Sequence, residues 1–159
     1  MNTEARPGPE LCNCLAVRQA ARHITQFYDQ CLASSGLRTT QFSILAKLKR
    51  LGPMTINALA ADLVMDRTTL GRNILPLQRE GLIAVVKGRV DRRSKELTVT
   101  EVGAGRLRDA IKGWVHAQNR FEAVFGSDRT AELRALLHAV SVSDLGAAGH
   151  NDVASDTRS

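Results

Sequence analysis

Residues 82–100 read LIAVVKGRVDRRSKELTVT. Two short runs of β-formers, LIAVV at 82–86 and ELTVT at 96–100, flank a tip that contains Gly88, and this pattern predicts a β-hairpin. Residues 87–95 hold five cations, Lys87, Arg89, Arg92, Arg93 and Lys95, against one acid, Asp91. Positive charge gathered this tightly points to a polyanion, nucleic acid first and an anionic membrane surface second. A merely basic surface would spread its charges.

The stretch just upstream, TINALAADLVMDRTTLGRNILPLQREG at 55–81, gives the tip a context. Thr55 caps one short helix with Ile56, Leu59, Ala60 and Leu63 on one face. Asp66 caps the next, with Leu70, Ile74 and Leu77 inward and Gly81 as its stop. Two short helices with a tight connection form a helix-turn-helix unit. On the second helix Thr68, Arg72 and Arg79 point away from the apolar arc, with Thr69 alongside. Arginine can bond guanine O6 and N7 together, and threonine offers both a hydroxyl and a methyl to base edges. A solvated polar face is the plainer reading of one such helix alone. A basic hairpin directly after it favours a two-point contact, with the helix in the major groove and the loop over the minor groove. Pro76 removes one backbone bond at a cost of about 3 kcal/mol in a regular helix. It predicts a bend, with DNA contacts coming from the residues before it.

Outward from this centre the period is helical. Cys14, Val17, Ala21, Ile24, Tyr28 and Cys31 repeat at spacings of three and four within a helix over 11–35, ended by SSG. Thr39 is the expected cap of a second helix, with Phe42, Leu45, Leu48 and Leu51 on its apolar face and Gly52-Pro53 as its stop. After Thr100, Leu107, Ile111, Trp114, Gln118, Phe121 and Phe125 mark a second long helix ended by Gly126. A last helix begins near Ser127 and uses Leu133, Leu136, Leu137 and Val140. The two long stripes need each other or a second copy of the chain, and a symmetric dimer is the simplest arrangement. Residues 1–10 read as a disordered arm and 141–159 as a mobile tail. Residues 11–140 read as one domain, with a DNA-binding lobe over about 38–100 and dimerisation helices at 11–35 and 101–140. The fold class is mainly α with a small β-hairpin wing.

The 159 residues are 43 % hydrophobic, enough for one core, but only 4 % aromatic, so that core is aliphatic. The net charge of +6 agrees with a polyanionic partner. Without an 18-residue apolar run, a signal-peptide core or a disulfide framework, the chain reads as cytoplasmic with no membrane partner. It carries no G-x-S-x-G, phosphate loop or HExxH motif, so an enzyme is not expected and neither is a cofactor. An enzyme is the main contrary class, with thiol chemistry at Cys12 as its one route. A winged helix used for protein contacts, or an architectural DNA binder, is the second.

The run at 63–103, LVMDRTTLGRNILPLQREGLIAVVKGRVDRRSKELTVTEVG, resembles the MarR family of winged-helix bacterial transcription regulators. Its most specific element is Asp91-x-Arg93 followed by Leu97-Thr98, Thr100 and Gly103. The resemblance extends over about residues 11–140. It implies a homodimer whose first and last helices intertwine, and binding to a pseudo-palindromic operator, usually as a repressor. It assigns DNA contact to Arg67, Thr68, Thr69 and Arg72 on the recognition helix. Together with the tip charge it assigns contact to Arg89, Arg92, Arg93 and Lys95 on the wing, with Asp91 orienting Arg93. It implies a small-molecule effector, often aromatic or phenolic. Arg18, Arg22 and His23 are candidates to meet an acidic group of that effector, and Trp114, His116, Gln118 and Phe121 its apolar part. The plainer reading leaves the basic residues solvated and the aromatics in a dimer core.

Cysteines offer the alternative. LCNC at 11–14 opens the first helix, and the LC resembles the helix start of organic-hydroperoxide regulators. That implies a redox-sensing regulator using Cys12, with Cys14 nearby. The second helix lacks the tyrosines that those sensors supply. Cys14 and Cys31 lie on the apolar stripe, where cysteine also serves as a small hydrophobe. Metal binding is not expected, because Cys12, Cys14, His23 and Cys31 do not share a helix face.

Overall fold

The computed structural model describes residue 8 and residues 11–145. The arm assigned to 1–10 and the tail assigned to 141–159 lie almost wholly outside the described residues. The chain divides into two compact units, residues 1–120 and 121–159.

The first unit opens with α1 (Asn13–Leu32), continued by a 3₁₀ turn over Ala33–Ser35. Next come α2 (Thr39–Leu51), β1 (Met54–Thr55), α3 (Ile56–Asp62) and α4 (Arg67–Arg79). Strands β2 (Ile83–Lys87) and β3 (Lys95–Val99) follow, then α5 (Glu101–Phe125), which runs on into the second unit. The hairpin expected from sequence is there, with Ile83 opposite Val99 and Lys87 opposite Lys95. A third strand joins it. β1 pairs antiparallel with β3, Met54 against Leu97 and Thr55 against Glu96, so the sheet order is β1-β3-β2. Two residues are too few to show a period of two, and the strand left no trace in the sequence pattern.

The core is aliphatic, as the composition requires. Leu32, Ile44, Leu45, Leu59, Leu70, Leu77 and Leu82 are essentially inaccessible. Leu70, Ile74 and Leu77 are the buried side of α4, and Leu59 and Ala60 that of α3. On α2 the buried set is Phe42, Ile44, Leu45 and Leu48. Leu51, expected on that face, is exposed at the helix end.

The expected cap of α2 is also displaced by one residue. Arg38 is the N-cap, and its N–H donates to Gln41 Oε1 at 2.9 Å. Thr39 lies inside the helix. Its N–H and its hydroxyl both donate to Asp29 Oδ1 of α1, each at 2.7 Å, so a tertiary contact anchors the helix start. Thr55 caps α3 as expected, accepting from the Ala58 N–H at 3.2 Å. Helix α4 continues through Pro76 to Arg79. It closes with Gly81 at φ 68°, where Gly81 N–H meets Gln78 O and Leu82 N–H meets Leu77 O. Those two bonds are a Schellman motif.

Helix α5 packs through its small residues as well as its large ones. Gly103, Ala104, Leu107, Ala110 and Ala117 are buried. A Cβ on Gly113 would lie 2.2 Å from the Cys31 carbonyl oxygen, and one on Gly103 2.0 Å from that of Leu82. Tyr28 donates its hydroxyl to Gln118 Oε1 between α1 and α5. Arg106 Nη1 reaches Ser35 O at 3.3 Å and Glu80 Oε2 at 3.5 Å, tying α5 to the α1–α2 connection and to the end of α4. The stripe read on α1 is partly buried only at Ile24, Tyr28 and Cys31. Cys14, Val17 and Ala21 face solvent in the single chain.

The second unit holds the end of α5 and α6 (Ser127–Val142). Phe121 and Phe125 contact each other with centroids 5.5 Å apart, and the Arg129 guanidinium lies 4.4 Å from the Phe125 centroid. Leu136, Leu137 and Val140 on α6 are exposed. No helix among the described residues is long and apolar enough to cross a membrane.

Gly103→Ala forces the α5 start away from Leu82. We expect a loss of about 1–3 kcal/mol of stability, read by urea unfolding. An alanine variant as stable as the wild type would show that this close approach is not a constraint.

Candidate nucleic-acid interface

The first turn of α4 is fixed by Asp66. Its Oδ1 accepts the Thr69 N–H at 2.8 Å and its Oδ2 accepts the Thr69 hydroxyl at 2.6 Å. The Thr69 hydroxyl bond, then the backbone bonds, hold the Asp66 carboxyl below its ordinary range. Thr69 is therefore committed as a donor to the cap, leaving its methyl and lone pairs to the outside. Asn73 Nδ2 donates back to Thr69 O at 2.8 Å. Arg67, Thr68, Thr69, Arg72 and Arg79 are all exposed, opposite the buried Leu70, Ile74 and Leu77.

The wing tip is tightly hydrogen-bonded. Gly88 N–H donates to Ser94 O at 2.9 Å, and Ser94 donates its N–H and its hydroxyl to Asp91 O at 3.0 and 2.7 Å. Asp91 Oδ1 accepts the Arg93 backbone N–H at 2.9 Å. The aspartate thus holds the backbone of Arg93, and its side chain makes no ion pair with the guanidinium. Gly88 is buried under the tip, where a Cβ would sit 2.0 Å from Ser94 Oγ. Lys87, Arg89, Arg92, Arg93 and Lys95 are exposed. Among the described residues, the four ion pairs link Arg38–Asp29, Lys47–Asp62, Arg106–Glu80 and Arg134–Glu122, so none neutralises the tip. Arg67 of α4 and Lys95 of β3 meet across a groove of about 370 Å³ with Leu75, Gln78 and Val85. Positive charge from α4 and from the hairpin therefore borders one groove.

A second concavity of about 480 Å³ opens between α2 and α5. Phe42 and Trp114 stack at 6.0 Å with 19° between planes, and Ala46, Leu107 and Ile111 complete the apolar wall. Lys47, Lys49 and Arg50 also line it. Of the residues proposed for an effector, only Trp114 is here. Arg18, Arg22 and His23 are exposed on α1, His116 is exposed, Gln118 is held by Tyr28, and Phe121 belongs to the second unit. The spacing Phe42–Ala46–Arg50 on one face of α2 was the available signal, but a wall needs α5 opposite it, and that is long-range information.

Cys12 is the N-cap of α1, its Sγ accepting from the Leu15 N–H at 3.4 Å. Cys12 and Cys14 are free and exposed, and Cys31 is half-buried. Among the described residues no three His, Cys, Asp or Glu side chains gather as a metal site.

With this geometry in place, known proteins supply the family. A family model described as MarR family matches residues 37–95. The crystal structure of the transcriptional regulator MosR of M. tuberculosis in complex with DNA is 37 % identical, covers 82 % of this chain and 96 % of that one, and superposes with a TM-score of 0.71. The chain belongs to the MarR family. Its three-stranded winged helix is the MarR-family fold. A relative by sequence, the transcriptional activatory protein BadR of Rhodopseudomonas palustris, is 33 % identical over 99 residues. That match spans 59 % of this chain and 57 % of BadR. The repressor CouR bound to a DNA duplex shares the fold at 24 % identity, with a TM-score of 0.74, 82 % of this chain and 92 % of that one.

Asp66→Ala should lower the melting temperature. Because the native carboxyl is held low, its contribution is fully present above the ordinary carboxylate range. It is lost as pH falls through the native value. The wild-type and Asp66→Ala melting curves should therefore converge in acid, and a gap that persists at pH below the lowered native value would refute the cap's charge dependence.

Proposed function

We propose that the protein is a homodimeric, operator-binding transcription regulator that reads DNA with α4 in the major groove and the 88–94 tip in the adjacent minor groove. One observation carries this: an exposed Arg/Thr helix face and a five-cation tip outside the ion pairs of the described residues, with Arg67 of the helix and Lys95 of the hairpin lining one groove. A narrow minor groove has enhanced negative potential, which suits Arg93 on its braced backbone. The DNA complex of MosR supports the same partner here. Exposed Leu15 and Val17 on α1, and exposed Leu136 and Val140 on α6, are apolar surface of the kind a second copy buries.

The α2–α5 cavity is the proposed effector site, with an apolar wall for an aromatic group and Lys47, Lys49 and Arg50 for an acidic one. Effector binding releases the dimer from its operator. Repression is the proposed sign of regulation. BadR is named an activator, so reporter transcription with and without the protein decides the sign.

Fluorescence anisotropy on a duplex from the protein's own upstream region, against a scrambled duplex, tests the reading. Tight binding to the native duplex should weaken steeply with salt. Arg93→Ala should weaken it further and reduce the salt slope by about one per subunit. Unchanged affinity in that variant would remove the wing from the interface, and equal binding to both duplexes would indicate an architectural role. Aromatic carboxylates added to the bound complex should lower the anisotropy.

The exposed Cys12 sulfur at the first turn of α1 favours a second reading, release by oxidation. Under that reading Cys12→Ser abolishes any oxidant response of DNA binding, while a response that survives eliminates Cys12 as the sensor.

A further inference from the structure

Between the two helices of the helix-turn-helix, Val64 occupies a conformation that suits glycine. Val64 N–H donates to Ala61 O at 3.2 Å and Met65 N–H to Ala60 O at 2.9 Å. These two bonds close α3 as a Schellman motif, whose middle residue must turn left-handed. Val64 does so at φ 52°. The chain ends α4 with the same pair of bonds, and there the left-handed residue is Gly81. Among the described residues every other positive-φ position, 36, 52, 81 and 126, is glycine. A β-branched residue is among the least suited to this region, because its Cβ crowds the following carbonyl.

Burial does not offset that strain. Leu63 and Met65, on either side, pack against the core, whereas Val64 is 73 % exposed. In the free chain this valine is strained and also leaves two methyl groups in water. A residue unfavourable on both counts suggests a role outside the folded monomer. Its position indicates which: Asp66, two residues on, caps the helix that presents Arg67 and Thr68 outward.

We infer that Val64 is an apolar contact to DNA, its methyl groups packing beside the α4 N-terminus on the apolar surface of the major-groove edge. Thymine C5-methyl groups and deoxyribose carbons share that chemistry. The inference rests on the operator-binding reading above. It adds an uncharged contact to an interface otherwise described by its cations, and it explains why glycine is absent where the backbone favours it.

The test pairs stability with affinity in the full-length protein. Val64→Gly relieves the strain and removes the contact. The melting temperature should rise by about 2–4 °C, while affinity for the native upstream duplex falls on the order of tenfold. The salt slope should not change, because no charge has moved. Val64→Ala keeps a side chain at the left-handed position and loses the methyls, so its binding should weaken in a turn no looser than the wild type's. Replacing thymine by deoxyuridine in the duplex separates the two DNA sources. If wild-type affinity falls and that of Val64→Gly does not fall further, the thymine methyls are the contact; if neither is affected, the sugar is.

A Val64→Gly protein that melts higher but binds as tightly as the wild type would overturn the inference and leave only a strained turn. A lower melting temperature in that variant would overturn the strain argument itself. Weak binding by Val64→Gly with normal binding by Val64→Ala would show that a loosened turn, and not a lost contact, is responsible. Should the wild type bind no native duplex, the operator reading fails first and this inference with it.

Discussion

The backbone around Leu82 is the constraint on which the packing of α4, the hairpin and α5 depends. Its N–H closes α4 onto Leu77 O at 2.8 Å, and its carbonyl accepts the Thr100 N–H at 3.1 Å. Its side chain is fully buried. Thr100 adds a second link, donating its hydroxyl to Gly81 O at 2.6 Å and accepting the Gly103 N–H at 3.0 Å. Gly103 then brings α5 close against the Leu82 carbonyl. The end of α4, the base of the hairpin and the start of α5 thus share one hydrogen-bonded junction. Moving any one of them would leave backbone groups of the buried Leu82 unpaired, which is costly away from water.

That junction gives the surface charges their meaning. Isolated exposed cations contribute little to stability and mostly repel one another. Held on a helix and a hairpin that share a base, they become a fixed pattern, and the tip is stiffened by Asp91 and Ser94 so that Arg93 leaves from a defined backbone. Asp66 and Asp91 each accept a backbone N–H group, and neither pairs with a neighbouring arginine. They shape the site without cancelling its field. On the other side of the lobe, α2 faces the cavity and also contacts α3 through the Lys47–Asp62 pair at 2.7 Å. The helix that lines the proposed effector site therefore touches the helix-turn-helix directly.

Much of this was legible in the sequence because the signals were local. The Asp66 cap spans three residues, the buried face of α4 follows the 3.6 period, and the tip announces itself by composition. What escaped was non-local or ran against propensity. β1 is defined only by its partner β3. The cap of α2 moved because Asp29 reaches over from α1 to hold Thr39. Leu51 scored as core by spacing but lies at a helix end that nothing covers. Gly103 was visible only as part of the family motif, and its physical reason, like that of Gly113, comes from the Leu82 and Cys31 carbonyls packed against them. The left-handed turn after α3 carries no glycine to mark it.

By itself the sequence determined the helices and the hairpin, the aliphatic core, the basic tip and the family resemblance. Each is a property of neighbouring residues or of composition, and periodicity and charge density are carried along the chain. Tertiary structure decided which residues line the α2–α5 cavity, where the side chain of Asp91 is spent, and which valine is strained in water. Those depend on which distant backbones approach within hydrogen-bond or van der Waals range. Such contacts are fixed only when the helices pack, because a side chain's worth is set by what lies opposite it.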